Sequence, residues 1–349
     1  MTQEREKVIF IDVLKSFACL CVVLGHVIKG LRKEPIEVAG ILTVISNFVY
    51  FFHVPCFFFA SGYLYANKPP KSGEEYRKMV WKKLISLGVP YFACSVFYIL
   101  TGPILSTDIK IYSLQGTVKE LLTAPVAQYW YLYALFEMFV LVPLVEYIFR
   151  RVDQGWILFL FVAAALVIRA DIYWIKYLLL YTCYFYLGVY FNQKSVLKRY
   201  PVYKIHPCRL FVLSAALAIG VYTFYQCVLD EIITNGSVNY AIGGMVKLLL
   251  VVCMVLMAVA IAQKDNTVGI LLIRIAPYSL YIYLFHTWFT GSARVLLCKM
   301  GFYSDWLHLL CGMAVGVFCP VAATWIIRKV PFFQFWFEPL KVQFHDKSN

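Results

Sequence analysis

Charge is what this chain has least of. Only 15% of its 349 residues are charged, against about 25% in an ordinary soluble protein, and 19 acids face 32 bases. So sparse a set of charges cannot clothe a globule in water, which excludes soluble folds. Disorder is excluded as well, because a chain that is 62% apolar has more than enough surface to offset its conformational entropy. The 11 cysteines are odd in number, contain no C-x-x-C pair and lie mostly inside apolar runs (Cys19, Cys21, Cys94, Cys253, Cys311). Neither a disulfide framework nor a zinc site is expected; the thiols read as small apolar side chains. Internal repeats, low-complexity tracts and a soluble domain are also missing. A cleaved signal is not expected, since Asp12 and Lys15 interrupt the first apolar run.

What the chain has in abundance is apolar length. Mean hydropathy is +0.72, and the apolar share is about what ten spans of about 20 residues would consume. Runs fall near 8–29, 40–66, 84–105, 127–149, 155–170, 172–191, 210–229, 240–262, 271–297 and 305–327. The predicted fold is therefore all-α, a polytopic membrane bundle of about ten helices. A count of nine stays open, because Arg169, Asp171 and Lys176 leave only a short polar turn between the fifth and sixth runs.

The net charge of +13 would suggest nucleic acid in a soluble protein, but here the bases cluster between apolar runs, which is the mark of membrane topology. With the N-terminus inside, 21 of the 32 Lys and Arg fall in cytoplasmic segments and nine outside, which predicts both termini in the cytoplasm. The expected location is the inner (plasma) membrane. Residues 1–330 read as one transmembrane domain. Residues 331–349 read as a tail whose Phe332, Phe333, Phe335, Trp336 and Phe337 suit the inner interface.

An ionisable group at the centre of a span costs about 2.5–3.5 kcal/mol on insertion scales, so each needs a partner, water or a role. The set is Asp12, Lys15, His26, His53, Glu137, Lys247 and His286. Eleven steps separate Lys15 from His26, which is three turns plus about 20° and about 16.5 Å of rise. Both side chains thus share one helix face, a cation near the inner surface and an imidazole far above it. That pair describes a channel for a long molecule with an anionic head. Taken singly, Lys15 reads more readily as a snorkelling lysine, and His26 equally as a packed histidine bonded to a backbone carbonyl.

Four segments carry a resemblance: Lys15 with His26; Phe52-His53-Val54-Pro55-Cys56-Phe57-Phe58-Phe59-Ala60-Ser61-Gly62-Tyr63-Leu64; Trp130-Tyr131-Leu132-Tyr133-Ala134-Leu135; and Tyr278-Ser279-Leu280-Tyr281-Ile282-Tyr283-Leu284-Phe285-His286. In this order they resemble the acyltransferase 3 family of integral membrane O-acyltransferases. Lysine stands at position 15 where the family usually has arginine, which keeps the charge and loses the bidentate fork. Ser86 stands where a second basic residue of the third-helix motif is expected.

The resemblance implies transfer of an acyl group, commonly acetyl, from cytoplasmic acyl-CoA to a hydroxyl of a cell-surface carbohydrate or related acceptor. Acetyl-CoA would be a co-substrate, with no permanently bound cofactor, no metal and no nucleic-acid partner. His26 is then the expected general base, since a positioned base contributes about 10² to 10⁴ in rate to attack by an alcohol. Glu137 is a candidate to orient it. Lys15, Arg77, Lys82 and Lys83 are expected on the CoA head. His53, Trp130, Tyr133 and His286 are expected around the acceptor, although helix cross-linking and an interfacial aromatic belt give the same residues. Competing readings are a transporter or flippase of a glycan or lipid-linked sugar, an O-acyltransferase class relying on His286 alone, and a non-catalytic binding bundle.

Overall fold

A computed structural model describes residues 3–105, 126–170, 172–200, 202–229, 232–263 and 267–340. Asp171, used above in counting spans, lies outside the described residues, as do Lys110, Lys119, Lys264, Lys341 and Lys347 of the orientation count and the whole tail beyond 340. Among the described residues the chain is helical and has no strand.

Each of the ten apolar runs holds a helix. These are α1 (Gln3–Leu31), α2 (Gly40–Tyr65), α4 (Val89–Leu105), α5 (Trp130–Ile148), α6 (Gln154–Val167), α7 (Tyr173–Gln193), α8 (Pro207–Phe224), α9 (Gly236–Ala262), α11 (Ser279–Lys299) and α12 (Asp305–Lys329). Shorter helices are α3 (Gly73–Lys83), α10 (Thr267–Ile275) and α13 (Pro331–Phe337). Among the described residues, eight helical segments are long and apolar enough to cross a bilayer. The two runs outside that set are the pair already in question. With 14 residues, α6 reaches only about 21 Å at 1.5 Å per residue, short of a hydrocarbon core of about 30 Å. The other, α7, is long enough but owes much of its apolar surface to tyrosine.

Helix ends follow local chemistry. Ser72 caps α3 by accepting from the Glu75 N–H, while the Glu75 carboxylate reaches back to accept from the N–H of Lys71, the residue before the cap. Pro90 would clash with a carbonyl one turn back, and the helix meets it with a π turn over Leu84–Gly88. Asp153 caps α6, and the Lys194 ammonium followed by the Gly155 N–H holds its carboxyl below the ordinary range.

The central rod is α1, which packs against α2, α9, α11 and α12. The tightest seam joins α2 to α7. A β-carbon on Gly62 would fall on the carbonyl of Phe185, and one on Gly188 would fall on that of Phe59. Small residues let the two backbones touch, which matters in a membrane, where lipid tails leave helix association to van der Waals packing. Polar links tie each end of the bundle. One end joins Lys194 to Asp153, Asn192 to Asn67 and Arg328 to Glu338; the other joins Arg294 to Glu34 and the Ala39 N–H to Asp305.

Candidate active site

Between α1, α2, α5, α7 and α11 lies a polar cavity of about 440 Å³. His26 from α1 and His53 from α2 line it, and His286 from α11 stands behind His26 with ring centroids 5.0 Å apart and planes at 67°. Tyr50 completes the group, 4.9 Å from the His53 ring and 6.3 Å from that of His26. Three imidazoles contributed by three helices therefore meet at one level of the bundle. They do not form a metal-ligand set: among the described residues no group of three His, Cys, Asp or Glu is placed to hold an ion.

Hydrogen bonds fix two of the rings. The Nδ1 of His286 lies 2.9 Å from the carbonyls of both Ile282 and Tyr283, and that of His53 lies 2.7 Å from the carbonyl of Val49. A carbonyl can only accept, so Nδ1 carries the proton in each ring and Nε2 is left with a lone pair. In His286 that Nε2 is buried and has no hydrogen-bond partner. Two donors share the condition at the same place, the Tyr50 hydroxyl and the Trp288 indole N–H, both on residues that line the cavity. An orphaned buried polar group costs about 1–3 kcal/mol. The two donors on the cavity wall are what a ligand would satisfy; His286 is not among the lining residues.

The wall between α5 and α11 is held by the turn before α5. The Gln128 side-chain amide donates to the Thr287 hydroxyl at 2.7 Å, the Tyr283 hydroxyl donates to the Gln128 carbonyl, and the Tyr129 hydroxyl donates to the Leu284 carbonyl at 3.0 Å. Ala127, also on the cavity wall, sits at φ 47°, a left-handed conformation unusual for a residue with a β-carbon. Trp130 lines the cavity and stacks on Tyr177 at 4.3 Å and 20°.

Other expected site residues stand elsewhere. Lys15 does not line this cavity; it pairs with Asp12 one turn below at 2.8 Å. Arg77 and Lys82 are exposed on α3, and the Lys83 ammonium lies 3.9 Å from the Phe139 ring centroid. Glu137 is off the cavity wall, with an enclosed, unpartnered Oε2. Tyr133 is off it too and meets Tyr91 at 6.1 Å. The structure thus brings together His26, His53, His286 and Trp130 and leaves the basic cluster and Glu137 apart. Lys247, unassigned in the sequence, rests 5.2 Å over the Phe51 ring.

Sequence reasoning missed Tyr50, Gln128, Trp288, Lys29, Lys33 and Arg294. One signal was present: Lys29 and Lys33 follow His26 by three and seven residues, positions that share a helix face. Arg294 and Trp288 come from a distant helix, and their approach depends on how α11 docks on α1.

A family model described as an acyltransferase domain, that of acyltransferase 3, matches residues 8–325. The chain is also similar to nodulation protein NolL of Mesorhizobium japonicum, 29% identical over 136 residues, which is 38% of this chain and 34% of that protein. The matched stretch is thus about a third of that relative's length. No solved structure matches.

Proposed function

This chain belongs to the acyltransferase 3 family and is a multi-pass membrane acyltransferase, and from that premise we propose that it carries an acyl group, commonly acetyl, from cytoplasmic acyl-CoA to a hydroxyl of a cell-surface carbohydrate or related acceptor. Both termini are then cytoplasmic and the histidine cavity opens outward. Donor phosphates dock at the inner end, with Lys15, Arg77, Lys82 and Lys83, and the thioester reaches up toward His26.

The observation that carries this reading is the His26 ring packed against His286, whose Nε2 lone pair is unpartnered, on a cavity whose wall also carries two unpartnered donors, Tyr50 and Trp288. His26 takes the proton from the acceptor hydroxyl as its oxygen attacks the thioester carbonyl. The Tyr50 hydroxyl and the Trp288 N–H are donors available to the oxyanion that develops there. Collapse breaks the carbon–sulfur bond, and the proton held by His26 passes to the departing thiolate. An N–H of His26 donated to His286 Nε2 would hold His26 in the tautomer whose other nitrogen is basic, the orienting role often given to a carboxylate.

A second reading is favoured by the same lone pair: His286 itself is the base. The two separate by substitution. In purified protein supplied with acetyl-CoA and a panel of glycans, His26→Ala lowers CoA release by about 10² or more. His286→Gln, which offers an amide oxygen in place of the ring nitrogen, keeps activity within about tenfold of the parent, the 1.4 kcal/mol scale of one neutral hydrogen bond. Full activity of His26→Ala with loss in His286→Gln reverses the assignment. A transporter would move glycan with no CoA release in either variant.

A further inference from the structure

Beside the polar cavity runs an apolar groove of about 970 Å³ between α4, α11, α12 and α13. Phe92, Val96 and Leu100, at four-residue spacing on α4, share one helix face and line it. All three are exposed, so this side of the groove lies open to hydrocarbon. Its floor is α13, which the Arg328–Glu338 pair at 3.2 Å ties to the end of α12. Among the described residues Trp288 alone lines both the groove and the cavity. Its indole N–H is buried and unpartnered, and Phe97 of α4 leans on its ring with centroids 4.3 Å apart. From Phe92 to Leu100 the wall rises about 12 Å, the length of an extended chain of roughly ten carbons.

We propose that the groove holds the hydrocarbon chain of the acyl donor, so that the preferred cargo is a chain of about eight carbons or more and acetyl is the short end of the series. This rests on the acyl-transfer reading of the neighbouring cavity and names the class of its donor. In that reading the Trp288 N–H serves the oxyanion, and the carbon that bears the oxyanion also bears the chain. A chain on that carbon has two spaces to enter, a polar cavity that the acceptor occupies and an apolar groove walled by the same indole. Burial of apolar carbon favours the groove, and rotation of the Phe97 ring joins the two. The side of entry agrees. With both termini cytoplasmic, α13 lies at the inner interface, where a long-chain acyl-CoA rests with its head in the cytoplasm and its chain already in the bilayer. A lipid-linked acceptor would arrive from the opposite leaflet. The bonds exchanged are unchanged: the acceptor oxygen joins the acyl carbon, the carbon–sulfur bond breaks, CoA leaves with the hydroxyl proton, and the chain stays on the ester.

The purified protein in lipid nanodiscs is given acetyl-, octanoyl- and dodecanoyl-CoA with one panel of water-soluble glycans, read by CoA release. The expected result is a kcat/KM that rises with chain length, and a dodecanoyl-to-acetyl ratio that Val96→Trp lowers by about tenfold or more, since the indole fills the space the chain needs. Ala323→Phe, from the α12 wall, does the same, so the result does not hang on the folding of one variant. Leu160→Trp, at an exposed position of α6 away from the groove, leaves the ratio as in the parent. Longer donors concentrate in the nanodisc equally for every variant, so the change in ratio isolates the groove. A non-hydrolysable dodecyl-CoA thioether with a terminal diazirine is expected to label α4, α12 or α13 and to lose the label to excess unmodified thioether. Label spread over other lipid-facing helices such as α8, whose Val212 and Leu213 are exposed, overturns the proposal, because the chain then lies in the bilayer. Label displaced by a polyprenyl-linked glycan and not by the thioether overturns it too and gives the groove to the acceptor. A flat or falling chain-length profile, or a ratio that both groove variants leave unchanged, removes the long chain and leaves acyl transfer standing. Label in the groove with no CoA release from any donor strikes the acyl-transfer reading itself and takes the proposal with it.

Discussion

At the scale of single residues the cavity combines groups that are costly to hold. Ala127 spends its backbone in the left-handed region, at about 1–2 kcal/mol for a residue with a β-carbon. Ala127→Gly removes that penalty and is expected to raise the thermal midpoint in detergent, by up to about 1 kcal/mol of stability once the entropy of glycine is set against it. A lower midpoint would mean that the alanine methyl packs usefully. The histidines were legible as residues that do not belong in hydrocarbon. Which nitrogen of each carries the proton was not, because that follows from carbonyls at Val49, Ile282 and Tyr283 lying within reach of Nδ1.

At the scale of helices, the seam between α2 and α7 sets where His53 and Trp130 stand, since Tyr177 and Tyr181 of α7 pack on Trp130. Gly188→Val forces the backbones apart. Overpacking of this kind costs about 1–3 kcal/mol, and more where the obstacle is backbone, so the variant is expected to lose thermal stability and activity together. Valine at Gly220, where a β-carbon meets nothing, is the control and should change neither. The apolar runs were readable from hydropathy alone, and so was the doubt about the fifth and sixth. Their resolution into two helices that pack against each other required tertiary contacts.

At the scale of the whole molecule, the links at the two ends of the bundle fit a chain that crosses back and forth, and the distribution of Lys and Arg predicts a cytoplasmic α3 end. In a variant with the exposed Cys208 and Cys227 replaced, a membrane-impermeant maleimide applied to intact cells is expected to label Glu37→Cys and to spare Arg77→Cys until the membrane is opened. The opposite pattern would invert the orientation and with it the side from which donor and acceptor arrive. A second, apolar groove of about 970 Å³ runs between α4, α11, α12 and α13 and meets the polar cavity at Trp288. Phe337 of α13 packs on Phe285 at its wall, opposite the exposed apolar side of α4.

Composition alone decided that this chain lives in a membrane, because hydrocarbon accepts long apolar helices and rejects isolated charge, and both are properties of consecutive residues. The motif residues Lys15, His26, His53 and His286 were marked in the same way, each as an exception to its neighbours. Tertiary structure decided which exceptions meet. Periodicity put Lys15 and His26 on one face, yet it could not show that Asp12 neutralises Lys15, nor that Arg294, remote in sequence, closes over Gly30. Facing along one helix is fixed by 3.6 residues per turn, whereas meeting across helices depends on the packing of small residues and the direction in which each rod is docked.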